Sequence, residues 1–191
     1  MRHAIVLLAS LLLFAPLGAE QKERCVAGEL ALPSAPPWAA VALDTVPKGR
    51  TACVAMRMVA PEQISGVVVF RATPKGTAAI ADAPHPRLLM EAMAQLESMN
   101  VKIAEPKWRR LDVPFSGAGM TGFGNGTMFG FDGVAKDDGE KSDVIVLVFD
   151  GPAHHYDVSL VGRAESESAE EWRATVAAFR ALLAGLNVVK R

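Results

Sequence analysis

Several things this chain of 191 residues lacks narrow its chemistry. There is no CxxC pair among its two cysteines, Cys25 and Cys53, so a dithiol redox motif is excluded. Charge of one sign is missing as well: 20 basic residues face 21 acidic ones, for a net charge of −1. No basic stripe runs along the chain, which argues against nucleic acid as a partner. There is no GxSxG elbow for serine hydrolysis, and no internal repeat. No apolar run reaches the roughly eighteen residues of a bilayer-spanning helix.

What is present starts at the N-terminus. Met1-Arg2-His3 is a short basic start, followed by the apolar run Ala4–Ala15. The run has the length of a signal-peptide core. Pro16 breaks it, and Leu17-Gly18-Ala19 supplies small residues near a cleavage point. We expect residues 1–19 to be a signal peptide cut after Ala19, and no membrane span afterwards. Cys25 stands six residues past Ala19, behind charged residues, which disfavours a lipid anchor. An exported chain lands in the periplasm or outside the cell, where thiol pairs close. A Cys25–Cys53 disulfide is therefore expected, tying an extended N-terminal arm (20–52) to a single domain (53–191).

Residues 26–50 carry Pro33, Pro36, Pro37 and Pro47 and admit at most a short strand near Trp38–Leu43. Cys53–Val59 alternates like a strand. Ile64–Arg71 holds the β-branched run Val67-Val68-Val69 before Phe70. Residues 72–87 read as a loop. Leu89, Ala92, Met93, Leu96 and Met99 then repeat at helical spacing, with Pro86 in the first turn and Asn100 as the stop. Trp108–Phe115 returns to period two. Asn125-Gly126 between β-like segments predicts a tight hairpin, which would set Gly122 across from Phe129 and Met120 across from Phe131. Val144–Phe149 is apolar throughout, hence a central strand. His155–Val161 alternates, with Tyr156, Val158 and Leu160 on one face. Ser168 and Glu171 form a capping box ahead of Trp172, Val176, Phe179, Leu183 and Leu186. The whole is α+β: an antiparallel sheet of about six to seven strands with two main helices packed on it.

Two strands, a helix, the meander 107–161 and the closing stripe Trp172-Phe179-Leu182-Leu183-Leu186 resemble the PsbP-like domains, including the bacterial DcrB-like group. The resemblance covers about residues 53–189 and rests on packing patterns. It implies a non-enzymatic binding or adaptor module. It carries over no functional residue.

The candidate chemistry is sparse. Gly117-Ala118-Gly119-Met120-Thr121-Gly122 matches GxGxxG, but a turn follows where a dinucleotide site needs a helix. No cofactor is expected. His154 and His155 are adjacent, and neighbours in a strand point to opposite faces. Met56 and Met58 would share one strand face, and thioethers suit Cu(I). These four are the metal candidates, although methionine also fills irregular cores. Asn125-Gly126-Thr127 fits a glycosylation sequon. An enzyme site assembled from scattered residues such as Glu62, His85, His154 and Asp157 stays open. The leading expectation is a periplasmic or secreted binding or accessory protein with a protein partner in the cell envelope. The alternatives are a small-ligand or copper carrier and an enzyme with an unrecognised site.

Overall fold

Two long apolar runs set the centre of the molecule. Val67–Phe70 and Val144–Phe149 have no polar face to turn to water, so both faces of their strands must be covered. In the computed structural model they lie in neighbouring parts of one antiparallel sheet. The structure describes residues 25–33, 36–43, 50–60, 63–76, 84–98, 100–103, 109–113, 122–124, 126–136 and 139–189. The expected signal peptide, residues 1–19, lies outside them, as does the glycine motif up to Thr121.

The strands run β1 (Val26–Ala27), β2 (Leu30–Ala31), β3 (Trp38–Leu43), β4 (Thr51–Ala60) and β5 (Gln63–Pro74). Helix α1 (Pro84–Ser98) follows, then β6 (Val101–Ile103), β7 (Arg109–Val113), β8 (Gly126–Ala135), β9 (Lys141–Asp150) and β10 (His154–Arg163). Helix α2 (Ala169–Ala184) and β11 (Asn187–Val188) close the chain. The main sheet has eight strands in the order β3-β4-β5-β10-β9-β8-β6, with β7 also paired to β8. A small sheet, β1-β2-β11, joins the N-terminal arm to the strand that follows the last helix. The α+β class is as expected, with one or two strands more in the main sheet than anticipated.

Alternation sorts the strand residues onto two faces. Beneath α1 lie Val144, Val146, Val148, Val161 and Phe131, packed on Leu89, Ala92 and Leu96. On the opposite face Phe70, Leu147, Phe149, Tyr156, Val158 and Leu160 pack against Phe179, Leu182 and Leu186 of the closing helix and its extension. The arm joins this second core: Cys25, Ala27, Leu30, Leu32 and Trp38 are all buried there. The Trp38 indole N–H also donates to the Ala178 carbonyl at 3.0 Å.

Helix α2 sits where it does because two glycines make room. Gly66 of β5 and Gly162 of β10 are register partners. A Cβ on Gly66 would come within 2.7 Å of Thr175, and one on Gly162 within 3.0 Å of the Trp172 ring. Arg57 tightens the seat by donating to Ser65 at 2.5 Å and to Thr175 at 3.2 Å. At the helix start Ser168 accepts from the Glu171 amide at 3.4 Å, the expected cap.

Two local expectations are corrected. The strand β8 pairs with β7, so Phe129 stands across from Arg110 and not from Gly122. Gly124 donates instead to the Asp150 carbonyl at 2.7 Å, so residues 122–124 belong to the β9 end of the sheet. Asn125 itself lies outside the described residues. The second correction is the loop 72–87. Strand β5 runs to Pro74 and α1 begins at Pro84, so His85 stands in the first helical turn. Prolines are tolerated there because first-turn N–H groups have no partner within the helix.

Candidate functional site

Polar side chains gather in three places. The first is beneath α1, at the end of the sheet where β5 and β10 stop being apolar. His155, Asp157 and Ser159 alternate along β10 and are all buried, as are Arg71 and Thr73 on β5. Asp157 stands opposite Arg71. It accepts from the Arg71 Nε at 2.7 Å, and the Nη2 nitrogen lies at the same distance. Arg71 reaches Gln95 of α1 at 3.4 Å, and nearby Arg50 pairs with Glu91 at 2.9 Å. Burial pushes the Asp157 carboxyl up to about 6, and the charge and hydrogen bonds of Arg71 only partly offset it. His155 holds Asp150 through Nδ1 at 2.5 Å.

The second cluster lies on the other face, where the arm meets β10. Glu29, in the turn between β1 and β2, accepts from the Ala153 amide at 2.6 Å and contacts His154 Nδ1 at 2.8 Å. It also accepts from the Tyr156 hydroxyl, which in turn accepts from the Glu29 amide at 3.0 Å. Partial burial raises the Glu29 carboxyl. The Tyr156 and Ala153 hydrogen bonds and the nearby His154 outweigh it, so the group ends below its ordinary range. Tyr156 is stacked on Phe149 at 4.9 Å. Cys25 and Cys53 form the disulfide at one side of this region, with Cα atoms 5.9 Å apart.

The third place is concave. Helix α2 follows β10 through a short link and turns back over β10 and β5. Among the described residues it leaves the same face of β8 and β9 beside it bare. The result is a groove of about 740 Å³ between helix and sheet. Its floor is Met128, Gly130 and Ile145, and its wall is Trp172 and Val176. Asp132, Asp143, Glu165 and Lys141 line it, and so does Arg180. Among the described residues a Cβ on Gly130 would meet nothing within 4 Å, which leaves space directly over the sheet. The volume is that of a small-ligand or peptide pocket.

The structure separates most of the residues singled out in sequence. His154 and His155 point to opposite faces, each on its own carboxylate. Met56 is half-buried against Val54, Val67 and Val69, while Met58 is 38% exposed beyond a register shift of β4 on β5. Asp157 is buried under α1, on the face opposite His154; Glu62 lies outside the described residues. Among the described residues no three His, Cys, Asp or Glu side chains gather as a metal set. No helix of the described residues is long and apolar enough to cross a membrane.

Sequence reasoning missed two features. The groove left no signal, because its floor residues read as ordinary strand positions. The other is the buried polar row His155-Asp157-Ser159, because the alternation of β10 assigned only Tyr156, Val158 and Leu160 to a packed face. Arg71 and Thr73 on the neighbouring strand were the available clue, since a lone apolar strand rarely ends on an arginine that needs a partner.

Neither a family model nor a curated protein matches the chain. Among solved structures, the chain is similar to cyanobacterial PsbP (CyanoP) from Synechocystis sp. PCC 6803, whose solution structure shares 11% identity at a TM-score of 0.48. The match spans 91% of this chain and 99% of that one. PsbP-like is also the group the order of elements resembles. The likeness is one of overall architecture and says nothing of what either surface binds.

Proposed function

We propose that the protein is an exported binding domain of the cell envelope, which holds a partner in the groove between α2 and the β8–β9 half of the sheet. The groove is the observation that carries the reading. Both polar clusters are turned inward and held by groups of the fold itself, whereas the groove presents apolar floor and wall to the outside. The Cys25–Cys53 disulfide and the apolar run Ala4–Ala15 support an oxidising compartment reached by export, with residues 1–19 removed. The arm 20–52 and domain 53–191 would then travel as one unit, since the described arm residues share the core of the domain.

Two measurements test this. Mature protein recovered from the envelope fraction should begin at Glu20 by N-terminal sequencing; an intact Met1 terminus would contradict export. An anilinonaphthalene sulfonate dye should bind the folded protein and lose most of its affinity in Gly130→Trp. That indole enters open space, so the variant should fold normally. Equal dye binding by both folded proteins, or none by either, would contradict a binding groove.

A further inference from the structure

We infer that Arg57 anchors a second contact surface, at the corner of the sheet where β3 begins and β4 ends, and that it takes a carboxylate of a protein partner set among apolar side chains. This corner lies across α2 from the groove, and the inference does not rest on the groove.

Arg50, Arg71 and Arg163 hold Glu91, Asp157 and Glu167 respectively. Arg57 differs from them. It is half-buried between its register partners, Trp38 of β3 and Gly66 of β5. Among the described residues no carboxylate pairs with it. Its Nη1 donates to the Ser65 and Thr175 hydroxyls, at 2.5 and 3.2 Å. Both hydroxyls are buried and neutral, so they fix the guanidinium without balancing its charge. The Nε is buried with no acceptor. An orphaned donor is costly, and more so on a group that stays charged at every ordinary pH. The Nη2 nitrogen makes no bond among the described residues and is not buried. Nε and Nη2 form one edge of the guanidinium, the fork that matches the two oxygens of a carboxylate. A carboxylate seated there completes the orphaned donor. One positive charge suits a carboxylate better than a doubly charged phosphate.

The surroundings say what carries the carboxylate. The Met58 amide donates to the Pro37 carbonyl at 3.4 Å, which sets the two strand ends side by side. Pro36, Pro37, Met58 and Val59 are all exposed, Met58 at 38% and Val59 at 45%. The register of β4 on β5 shifts directly after Arg57. Such irregularities re-aim side chains at sheet edges. An arginine without a carboxylate, beside exposed apolar groups, has the composition of an interface centre. A small acid would leave the apolar groups in water. An acidic residue flanked by apolar ones covers both.

NMR titration of isotopically labelled mature, disulfide-bonded protein tests this through the Arg57 Nε–H signal. The probes are acetyl-Leu-Glu-Leu-amide, its analogue acetyl-Leu-Gln-Leu-amide, acetate and decanoate. The Glu peptide should shift the Arg57 Nε–H signal together with the amides of Met58 and Val59. The Gln peptide should bind roughly fivefold more weakly, the scale of one exposed ion pair. Arg57→Gln, once its urea midpoint shows it folded, should bind the two peptides equally. Met58→Ser/Val59→Ser changes exposed positions and keeps Arg57. It should weaken the Glu peptide about threefold and leave the acetate response unchanged. Equal binding of the two peptides by the wild type overturns the inference. So does a bound Glu peptide that leaves the Arg57 Nε–H signal unmoved. Acetate binding as tightly as the Glu peptide reduces the corner to an anion site and overturns the partner surface. Decanoate binding with both peptides silent assigns a lipid carboxylate instead. Binding of no probe overturns the inference, whatever the groove does with the dye.

Discussion

Asp157, which is buried, and Glu29, which is half-buried, are carboxylates with opposite consequences for stability. Asp157 has its pKa raised to about 6 in the fold, against an ordinary value near 4 when unfolded. Between those values the folded state holds the extra proton, so its contribution to stability is fully present below about pH 4. It is lost as pH rises through 6, by about 3 kcal/mol. Glu29 is lowered, so its contribution is present above the unfolded value and is lost as the solution is acidified through the folded one. Urea unfolding of the wild type, Asp157→Asn and Glu29→Gln between pH 4 and 7 separates them. The wild type should lose stability relative to Asp157→Asn as pH rises, and gain it relative to Glu29→Gln. Gly28 is the other exacting residue of this region. Its φ is +59°, and a Cβ there would stand 2.7 Å from the Tyr156 hydroxyl and 2.9 Å from Ala72. Gly28→Ala should cost more than about 2 kcal/mol in the same assay, from backbone strain and the clash together. None of this was legible in the sequence. The partners of Asp157 and Glu29 lie 86 and 127 residues away, and no local pattern reports contacts of that range.

At the scale of elements, the helices and the central strands were legible because their signals are local. The spacing Leu89-Ala92-Leu96 and the Ser168 cap each identify a helix without reference to the rest of the chain. Asn100 takes a φ of +69°, as a stop should. The runs Val67–Phe70 and Val144–Phe149 identify strands buried on both faces. The partner of β8 was not legible. Asn125-Gly126 promised a tight turn, yet β7 reaches β8 across a connection of twelve residues, and sequence cannot rank a near partner against a distant one. The disulfide belongs to this scale too. It joins the residue before β1 to β4 across a separation of 28 residues. In the chain-entropy model its removal costs about 3–4 kcal/mol. Cys25→Ser/Cys53→Ser should therefore unfold at markedly lower urea concentration than the oxidised wild type. An unchanged midpoint would mean that the arm holds the core without the bridge.

At the scale of the molecule, the described residues form a sheet covered unevenly. Helix α1 covers one face, while α2 and the N-terminal arm share the other, and α2 lies toward β10 and β5. This imbalance makes the groove. It follows from the shortness of the link 164–168, which returns the chain over the strand it has just left. The paired glycines Gly66 and Gly162 then fix the helix there. Fold class followed from the order of the elements, but the place where cover runs out depends on which strands end up beside β10. That is why the groove had to be seen in the structure. Titration of isotopically labelled mature protein with the apolar dye, followed in amide and indole NMR spectra, tests the account most directly. We predict that the perturbed signals are those of Met128, Gly130, Ile145, Trp172 and Val176, with α1 unaffected. Perturbations centred on Leu89–Leu96, or around His154 and Tyr156, with the groove signals unmoved, would contradict it.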